Sequence, residues 1–210
     1  MYRLLASGTI LGLFLQVVPI TCLVGIVYAV IRYRHIKKRG HAIAWGTEII
    51  RCLFVCYLTG LINLVLVPQN LWLAIWFYVF HGYGSGCDMG HFLTANFNFV
   101  PSIYRWWKGE LELGRWVKTM LAVNALMYVP MGLFLPLVFK KINGRNIVPV
   151  AIAIPVVIEL IQPVIGRSFD MDDVLTNFIG IIAGYLMGAV LRVALKKRNK
   201  GDRESDPILS

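Results

Sequence analysis

One short segment of the chain concentrates residue types that bind polar ligands or move protons. It runs from Glu159 to Asn177 and reads Glu-Leu-Ile-Gln-Pro-Val-Ile-Gly-Arg-Ser-Phe-Asp-Met-Asp-Asp-Val-Leu-Thr-Asn. Glu159 and Gln162 are three residues apart, so they share one face of a helix. Carboxylates, amides and a guanidinium group this close together can hold a polar headgroup or transfer a proton. We therefore take this segment as the principal candidate site.

The elements that must position this segment are long and apolar. The chain has 210 residues, of which 58% are hydrophobic and 15% charged, more apolar than a soluble domain of this length. Leu4 to Ile31 is 28 residues without a charged side chain, and Thr119 to Phe139 is 21. A bilayer span needs about 17 to 25 such residues. The sequence predicts a multi-pass membrane protein, so the net charge of +10 does not indicate nucleic-acid binding.

We predict an all-α membrane protein, a bundle of about five transmembrane helices. Its predicted parts are a first helix over 1–31, a basic cytoplasmic loop over 32–42, a second helix over 43–67, an extracellular loop with an interfacial segment over 68–117, helices three to five over 118–195, and a cytoplasmic tail over 196–210. The second helix carries two charges, Glu48 and Arg51, whose spacing of three lets them pair while buried.

The distribution of basic residues predicts the orientation. With five spans, the segments assigned to the cytoplasm hold 14 of the 21 Lys and Arg residues. Cytoplasmic loops carry an excess of these residues, which favours N-terminus out and C-terminus in. In the outer loop, the ten residues from Leu71 to Phe80 are too few to cross a bilayer. Together with tryptophans such as Trp76 and Trp107, they predict a segment at the headgroup level of the outer leaflet.

Two polar residues within the spans are expected to join the candidate segment. Asn177 lies in line with a stripe of small residues, and such a stripe allows another helix to approach closely. Asn177 should therefore face the interior of the bundle. Asn124 in the third span lies at a similar depth. The stripe consists of Gly180, Gly184 and Gly188.

Each candidate residue also has a structural alternative. Glu159 needs a partner inside the bilayer, and Arg167 is the nearest candidate. Asp172 or Asp173 is expected to cap the fifth helix. Neither role explains the whole set, so we keep Glu159 and Asp170 as candidate catalytic groups. The candidate binding residues are Asn124, Glu159, Gln162, Arg167, Asp170, Asp173 and Asn177.

Metal and cofactor sites are not indicated. The acidic turn at Asp170 lacks a glycine-turned calcium loop. A glycine-rich stretch from His81 to His91 also contains Cys87 and Asp88, but the spacing of these groups matches no common zinc site. We therefore predict neither a metal nor a cofactor.

Four motifs resemble those of the VanZ-like family of bacterial membrane proteins. They are Asn96-Phe-Asn-Phe-Val-Pro101, Asn124 with Tyr128-Val-Pro-Met-Gly-Leu-Phe134, Glu159-Leu-Ile-Gln162, and the fourteen residues from Arg167 to Gly180. The resemblance covers roughly 94–192 and gives no interpretation of residues 68–93. It implies a small helical protein of the bacterial cell membrane. The family's namesake is associated with low-level resistance to the glycopeptide teicoplanin.

Three functions from different classes fit these residues. The first is an envelope protein whose outer-leaflet pocket binds a lipid or cell-wall precursor, or a glycopeptide. The second is an intramembrane enzyme that modifies such a lipid with Glu159 or Asp170 as general acid or base. The third is a small transporter or flippase, against which the lack of an evident inverted repeat counts mildly. Membrane lipids are the expected partners, and the sequence does not set the oligomeric state.

Overall fold

The computed structural model describes most of the chain. Its described residues are 10–40, 44–67, 78–79, 82, 97–112, 114–139, 141–165 and 167–204. The helices are α1 (Ile10–Lys38), α2 (Trp45–Val65), α3 (Ser102–Trp107), α4 (Arg115–Val138), α5 (Ile147–Ile161) and α6 (Met171–Glu204), and the strands are β1 (Phe97–Asn98) and β2 (Phe169–Asp170). A 3-10 turn, Gln162–Ile165, follows α5.

Among the described residues, five helical segments are long and apolar enough to cross a membrane, as expected for a multi-pass membrane protein. They lie in α1, α2, α4, α5 with its 3-10 turn, and α6. Their existence follows from the apolar runs, since each backbone polar group must be satisfied inside its own helix in lipid. The side of the membrane that each terminus faces stays a prediction from the basic residues.

Two predicted helix ends are wrong. The first helix continues to Lys38, through the basic residues that we assigned to a loop over 32–42. The last helix continues from the expected end at Leu195 to Glu204, so residues predicted as the start of the tail are helical. Both extensions are rich in Lys and Arg, which are good helix formers.

An ion-pair network joins α1 to α2. Glu48 accepts hydrogen bonds from Arg51 at 2.6 Å, as its spacing predicted, and from Arg32 at 2.7 and 3.1 Å. The second arginine comes from α1, which extends far enough to place it beside the first turn of α2. This network therefore fixes the hairpin at the end of the bundle opposite the candidate site.

Glycines bring α4 and α6 into backbone contact. A Cβ atom on Gly180 or Gly184 would overlap the carbonyl oxygen of Ala125 or Val129, respectively. The contacts advance along both helices in the same direction, so α4 and α6 run parallel with α5 as the antiparallel connection. Small residues at this seam remove the side chains that would hold the helices apart. The stripe thus packs closely against another helix, as its spacing predicted, and that helix is α4.

The structure also contains a small sheet that an all-α fold did not include. Strands β1 and β2 pair in parallel, with Phe97 opposite Phe169 and Asn98 opposite Asp170. This pairing fastens the segment before α3 to the start of α6. Three aromatic rings cover it, with centroids 5.3 to 6.0 Å apart; they belong to Phe97, Phe99 and Phe169.

Candidate functional site

The polar side chains of the candidate segment gather at one end of the bundle. There α2 and α5 end while α4 and α6 begin, and β1 approaches from the side. We call this group the polar cluster. Its members are Asn98, Asn124, Glu159, Gln162, Arg167, Asp170, Asp172, Asp173 and Asn177.

Glu159 is completely buried in the last turn of α5. Its Oε2 atom accepts the backbone N–H of Asp170 at 3.1 Å. With the Gln162 amide oriented so that its nitrogen faces the carboxylate, Nε2 donates to Oε1 at 3.2 Å and to Oε2 at 2.9 Å. These donors satisfy a carboxylate that would otherwise be costly to bury. Glu159 therefore holds the turn between α5 and α6 in place.

Arg167 does not pair with Glu159, so that expectation is wrong. Its Nη1 atom donates to the carbonyl oxygens of Leu64 at 3.3 Å and Val65 at 2.9 Å, in the last turn of α2. Carbonyl groups there lack intrahelical donors, and a cation at a helix C-terminus is favourable. The Glu159 carboxylate instead accepts hydrogen bonds from Asp170 and Gln162, in the turn between α5 and α6.

Part of the Arg167 guanidinium is free. The side chain is half-buried, and the described residues provide neither an ion-pair partner nor a hydrogen-bond acceptor for Nε and Nη2. Arginine carries five N–H donors in a fixed fork, and the two bonds to α2 use only Nη1. The remaining donors form an edge suited to a phosphate or carboxylate.

Asp170 caps α6, a role that we expected for Asp172 or Asp173. Its Oδ1 atom accepts the backbone N–H of Asp172 at 2.9 Å and Nδ2 of Asn98 at 3.2 Å. Because β2 holds Asp170 in an extended conformation directly before Met171, its side chain can reach back to the first turn of the helix. The N-cap lies earlier in the acidic run than we expected.

Asp172 connects α6 to a distant part of the chain. Both of its carboxylate oxygens lie 2.9 Å from the backbone nitrogen of Ser102, the first residue of α3. The residue is 5% exposed, so this contact is largely shielded from solvent. Together with the β1–β2 pairing, it attaches the segment from Phe97 to Trp107 to the start of α6.

The amides of α4 and α6 reach the cluster as we expected. Asn124 donates through Nδ2 to Oδ1 of Asp173. Asn177 is 4% exposed and points into the bundle, and its Oδ1 atom has no partner among the described residues. The buried hydroxyl of Tyr128, a residue whose Cβ atom lies beside Gly180, likewise has none there. These atoms leave unused hydrogen-bonding capacity beneath the cluster.

Sequence analysis missed three contributors: Asn98, Ser102 and Tyr128. Asn98 and Ser102 lie about seventy residues before their partners in α6. Asn98 lies in the motif from Asn96 to Pro101, whose spacing did not show what it contacts. Tyr128 also belongs to one of the four motifs, but nothing in its sequence context marked it as part of the cluster.

The geometry separates structural carboxylates from available groups. Glu159, Asp170 and Asp172 each accept at least one backbone N–H, so their charges are committed to folding. Several half-buried polar atoms of the cluster have no hydrogen-bond partner among the described residues, and they include Nε and Nη2 of Arg167 and Oδ2 of Asp173. The arrangement can therefore bind an anion beside a group that accepts hydrogen bonds.

Metal binding finds no support in the described part of the chain. No group of three or more His, Cys, Asp or Glu side chains is placed there to hold an ion. His81, Cys87, Asp88 and His91 of the glycine-rich stretch lie outside the described residues, as does most of the predicted interfacial segment.

One comparison with known proteins gives a match. A family model described as VanZ/LLP1 matches residues 54–192, which include the C-terminal half of α2 and the whole polar cluster. The match confirms the resemblance carried by the four motifs and extends it about forty residues toward the N-terminus. No curated protein and no solved structure matches the chain.

Proposed function

The chain belongs to the VanZ-like family of membrane proteins, and from this premise we propose that it binds the phosphate-bearing headgroup of a bacterial envelope lipid. The free edge of Arg167 receives the phosphate. Asp173, with Asn124 behind it, accepts hydrogen bonds from hydroxyl groups on the same headgroup. The polar cluster faces the outer leaflet, in keeping with the distribution of basic residues.

The observation that supports this proposal is that the Arg167 guanidinium is bonded to the described residues through only one of its three nitrogens. Nη1 of Arg167 is anchored on the carbonyl oxygens of Leu64 and Val65, while Nε and Nη2 have no partner among the described residues. Anchoring fixes the orientation of the free edge before a ligand arrives, which lowers the entropic cost of binding.

The other two functions from sequence are less well supported. An enzyme with Glu159 or Asp170 as acid or base needs a carboxyl that reaches substrate. Glu159 is 0% exposed, and both side chains already accept backbone N–H groups. A transporter that couples through the same carboxylates meets the same objection. Resistance to glycopeptides would follow from binding if the lipid is a cell-wall precursor.

The proposal is tested with protein purified in nanodiscs and a short-chain phosphatidylglycerol as the probe. Replacing Arg167 by Gln removes charge-assisted hydrogen bonds worth about 1.5 to 3 kcal/mol, so the affinity should fall about 10- to 100-fold. Arg167→Lys should recover part of it, since a point charge remains without the fork. Arg145→Gln removes an exposed charge outside the cluster and is the matched control.

Two results would count against the proposal. A folded Arg167→Gln protein that binds the probe as tightly as the unmodified protein would contradict the proposal. Equal losses in Arg167→Gln and Arg145→Gln would also contradict it, because net charge alone would then explain binding. Thermal unfolding of each variant shows which samples remain folded.

Orientation needs a separate experiment because headgroup binding does not report the side of the membrane. A reporter fused after Lys200 should read as cytoplasmic, which would place the polar cluster in the outer leaflet. An external reading would move the cluster to the inner leaflet and exclude precursors displayed outside the cell.

A further inference from the structure

Two spans of the bundle begin at one level, which marks the edge of the bilayer next to the polar cluster. The contact of Gly184 with Val129 sets the register between the parallel helices α4 and α6, and it brings Met171 level with Trp116. The candidate spans in α6 and α4 begin at Met171 and Val117, respectively. Both helices therefore enter the hydrocarbon at the same height, and residues attached there lie in the headgroup layer.

The segment from Phe97 to Trp107 is attached at this level. Strand β1 pairs with β2, which ends directly before α6 begins. Ser102, the first residue of α3, donates its backbone N–H to the carboxylate of Asp172 in the first turn of α6. These two attachments hold the start of α3 at the edge of the bilayer.

The side chains that this segment exposes are those that prefer the boundary between lipid and water. No residue of the short helix α3 is buried, and Trp107 is 78% exposed. Trp and Tyr are enriched at membrane–water interfaces, where their rings lie at the headgroup level. An exposed group of large apolar side chains marks an interaction surface. We call this group the aromatic surface; it consists of Phe97, Phe99, Ile103, Tyr104, Trp106 and Trp107.

Two cations accompany the aromatic surface. Arg105 and Lys108 are exposed, and neither has a carboxylate partner among the described residues. Nζ of Lys108 lies 4.8 Å from the centroid of the Tyr104 ring, which keeps this charge beside an interfacial side chain. Lys and Arg side chains next to a membrane attract anionic headgroups. Apolar rings and unpaired cations at the height of the headgroups together select an anionic lipid surface as the partner.

We infer that the aromatic surface docks into the headgroup layer on the side of the polar cluster, with Arg105 and Lys108 bound to the phosphates of anionic lipids. This docking is separate from the proposed binding of one headgroup at Arg167, since none of its residues belongs to the polar cluster. Because Asp172 ties α3 to the cluster, docking holds the cluster at the depth of the headgroups.

The experiment uses the full chain in nanodiscs, with Trp107 as the sole tryptophan after the other five are replaced by Phe. Phosphatidylcholine brominated near its ester groups should quench the fluorescence strongly, lipid brominated near the chain ends should quench it less, and aqueous iodide should quench it weakly. This pattern places the ring in the headgroup layer. If five replacements unfold the protein, the difference between the unmodified protein and Trp107→Phe measures the same contact.

Two patterns of quenching would overturn the inference. Strong quenching by iodide with none by the brominated lipids would mean that the Trp107 ring lies in water. Protection from iodide and from both brominated lipids would mean that protein covers the aromatic surface, either a second copy or another part of the chain.

The choice of lipid tests the two cations. Quenching of Trp107 by brominated phosphatidylglycerol in phosphatidylcholine, and by the reverse mixture, gives the relative affinity for the anionic lipid. This preference should fall about fivefold in each of Arg105→Gln and Lys108→Gln, the effect of one cation at a membrane surface. Arg145→Gln, exposed at the opposite end of the bundle, is the matched control and should retain the preference.

The lipid preference also separates this surface from the headgroup site. Arg167→Gln should retain the preference measured at Trp107, because the phosphates there are bound by other cations. A preference that is unchanged in folded Arg105→Gln and Lys108→Gln would overturn the phosphate contacts. A preference lost in Arg167→Gln would overturn them as well, since the headgroup site alone would then attract the anionic lipid.

Discussion

The two sides of α4 are built differently. Toward α6, glycines bring the helix backbones together, and Cβ atoms at Gly132 and Gly184 would overlap backbone atoms of the opposite helix. Toward α1 and α2, a Cβ atom at Gly60 would make only an ordinary contact with Oγ1 of Thr21 at 3.8 Å, and a cleft of about 660 Å³ remains. The same residue type thus closes one interface and leaves the other open. Close packing gives a rigid frame for the polar cluster, and the open side leaves room for a ligand.

The largest expected effect is on the closed side. Gly184→Leu should destabilise the protein by about 3 kcal/mol or more, because the new side chain overlaps the backbone of α4 at Val129. Gly60→Leu on the open side should leave the unfolding midpoint nearly unchanged. Denaturant unfolding in mild detergent measures both. Equal midpoints for the two variants would remove the distinction between the closed and open interfaces.

The next effect concerns the buried carboxylate that joins α5 to α6. Glu159→Gln replaces one acceptor oxygen by an NH₂ group facing the donors of Asp170 and Gln162. One donor loses its acceptor, and the free energy of unfolding should fall by about 1 to 3 kcal/mol. Glu110→Gln, at an exposed position, is the control and should unfold like the unmodified protein. Stability unchanged in Glu159→Gln would show that the carboxylate is not structural.

A smaller and more local effect is expected at α3. Asp172→Ala removes the acceptor for the backbone N–H of Ser102, at a cost of about 1 to 2 kcal/mol. The loss should appear as faster hydrogen exchange of the Ser102 amide and its neighbours in α3. The seam between α4 and α6 should keep its protection. Faster exchange throughout α6 would mean that the contact supports the frame rather than the attached segment.

The smallest effect is expected at the cap of α6. Asp170→Asn should change the free energy of unfolding by no more than about 0.5 kcal/mol, because asparagine caps helices about as well as aspartate. Asp170→Ala should cost about 1 kcal/mol, since it removes the cap and the contact with Asn98. Thermal unfolding of the pair measures the difference. A loss in Asp170→Asn as large as in Asp170→Ala would mean that the charge itself is needed.

Local sequence signals predicted the frame well. The apolar runs gave the five candidate spans, and glycine spacing placed the stripe of α6 on the correct face. The pairing of Glu48 with Arg51 followed from a separation of three residues. Each of these features depends on helix period and on the exclusion of unpaired polar groups from lipid.

The partners within the polar cluster were harder to predict because they depend on tertiary contacts. Opposite charge suggested that Arg167 neutralises Glu159, but the guanidinium lies against carbonyl groups about a hundred residues earlier. The acidic run contained more than one possible cap, and pairing with β1 selected Asp170. The cleft beside Gly60 had no sequence signal, since a glycine in an apolar helix predicts close packing as readily as a cleft.

The central claim is that the free edge of Arg167 holds a lipid phosphate, and solid-state NMR tests it most directly. Protein with ¹⁵N-labelled arginine is reconstituted in phosphatidylglycerol bilayers, and ³¹P dephasing of the guanidinium ¹⁵N signals is measured. A dephased signal that is present in the unmodified protein, retained in Arg145→Gln and lost in Arg167→Gln is the predicted result. Identical dephasing in the unmodified protein and Arg167→Gln would contradict the account, because no phosphate would then lie against this side chain.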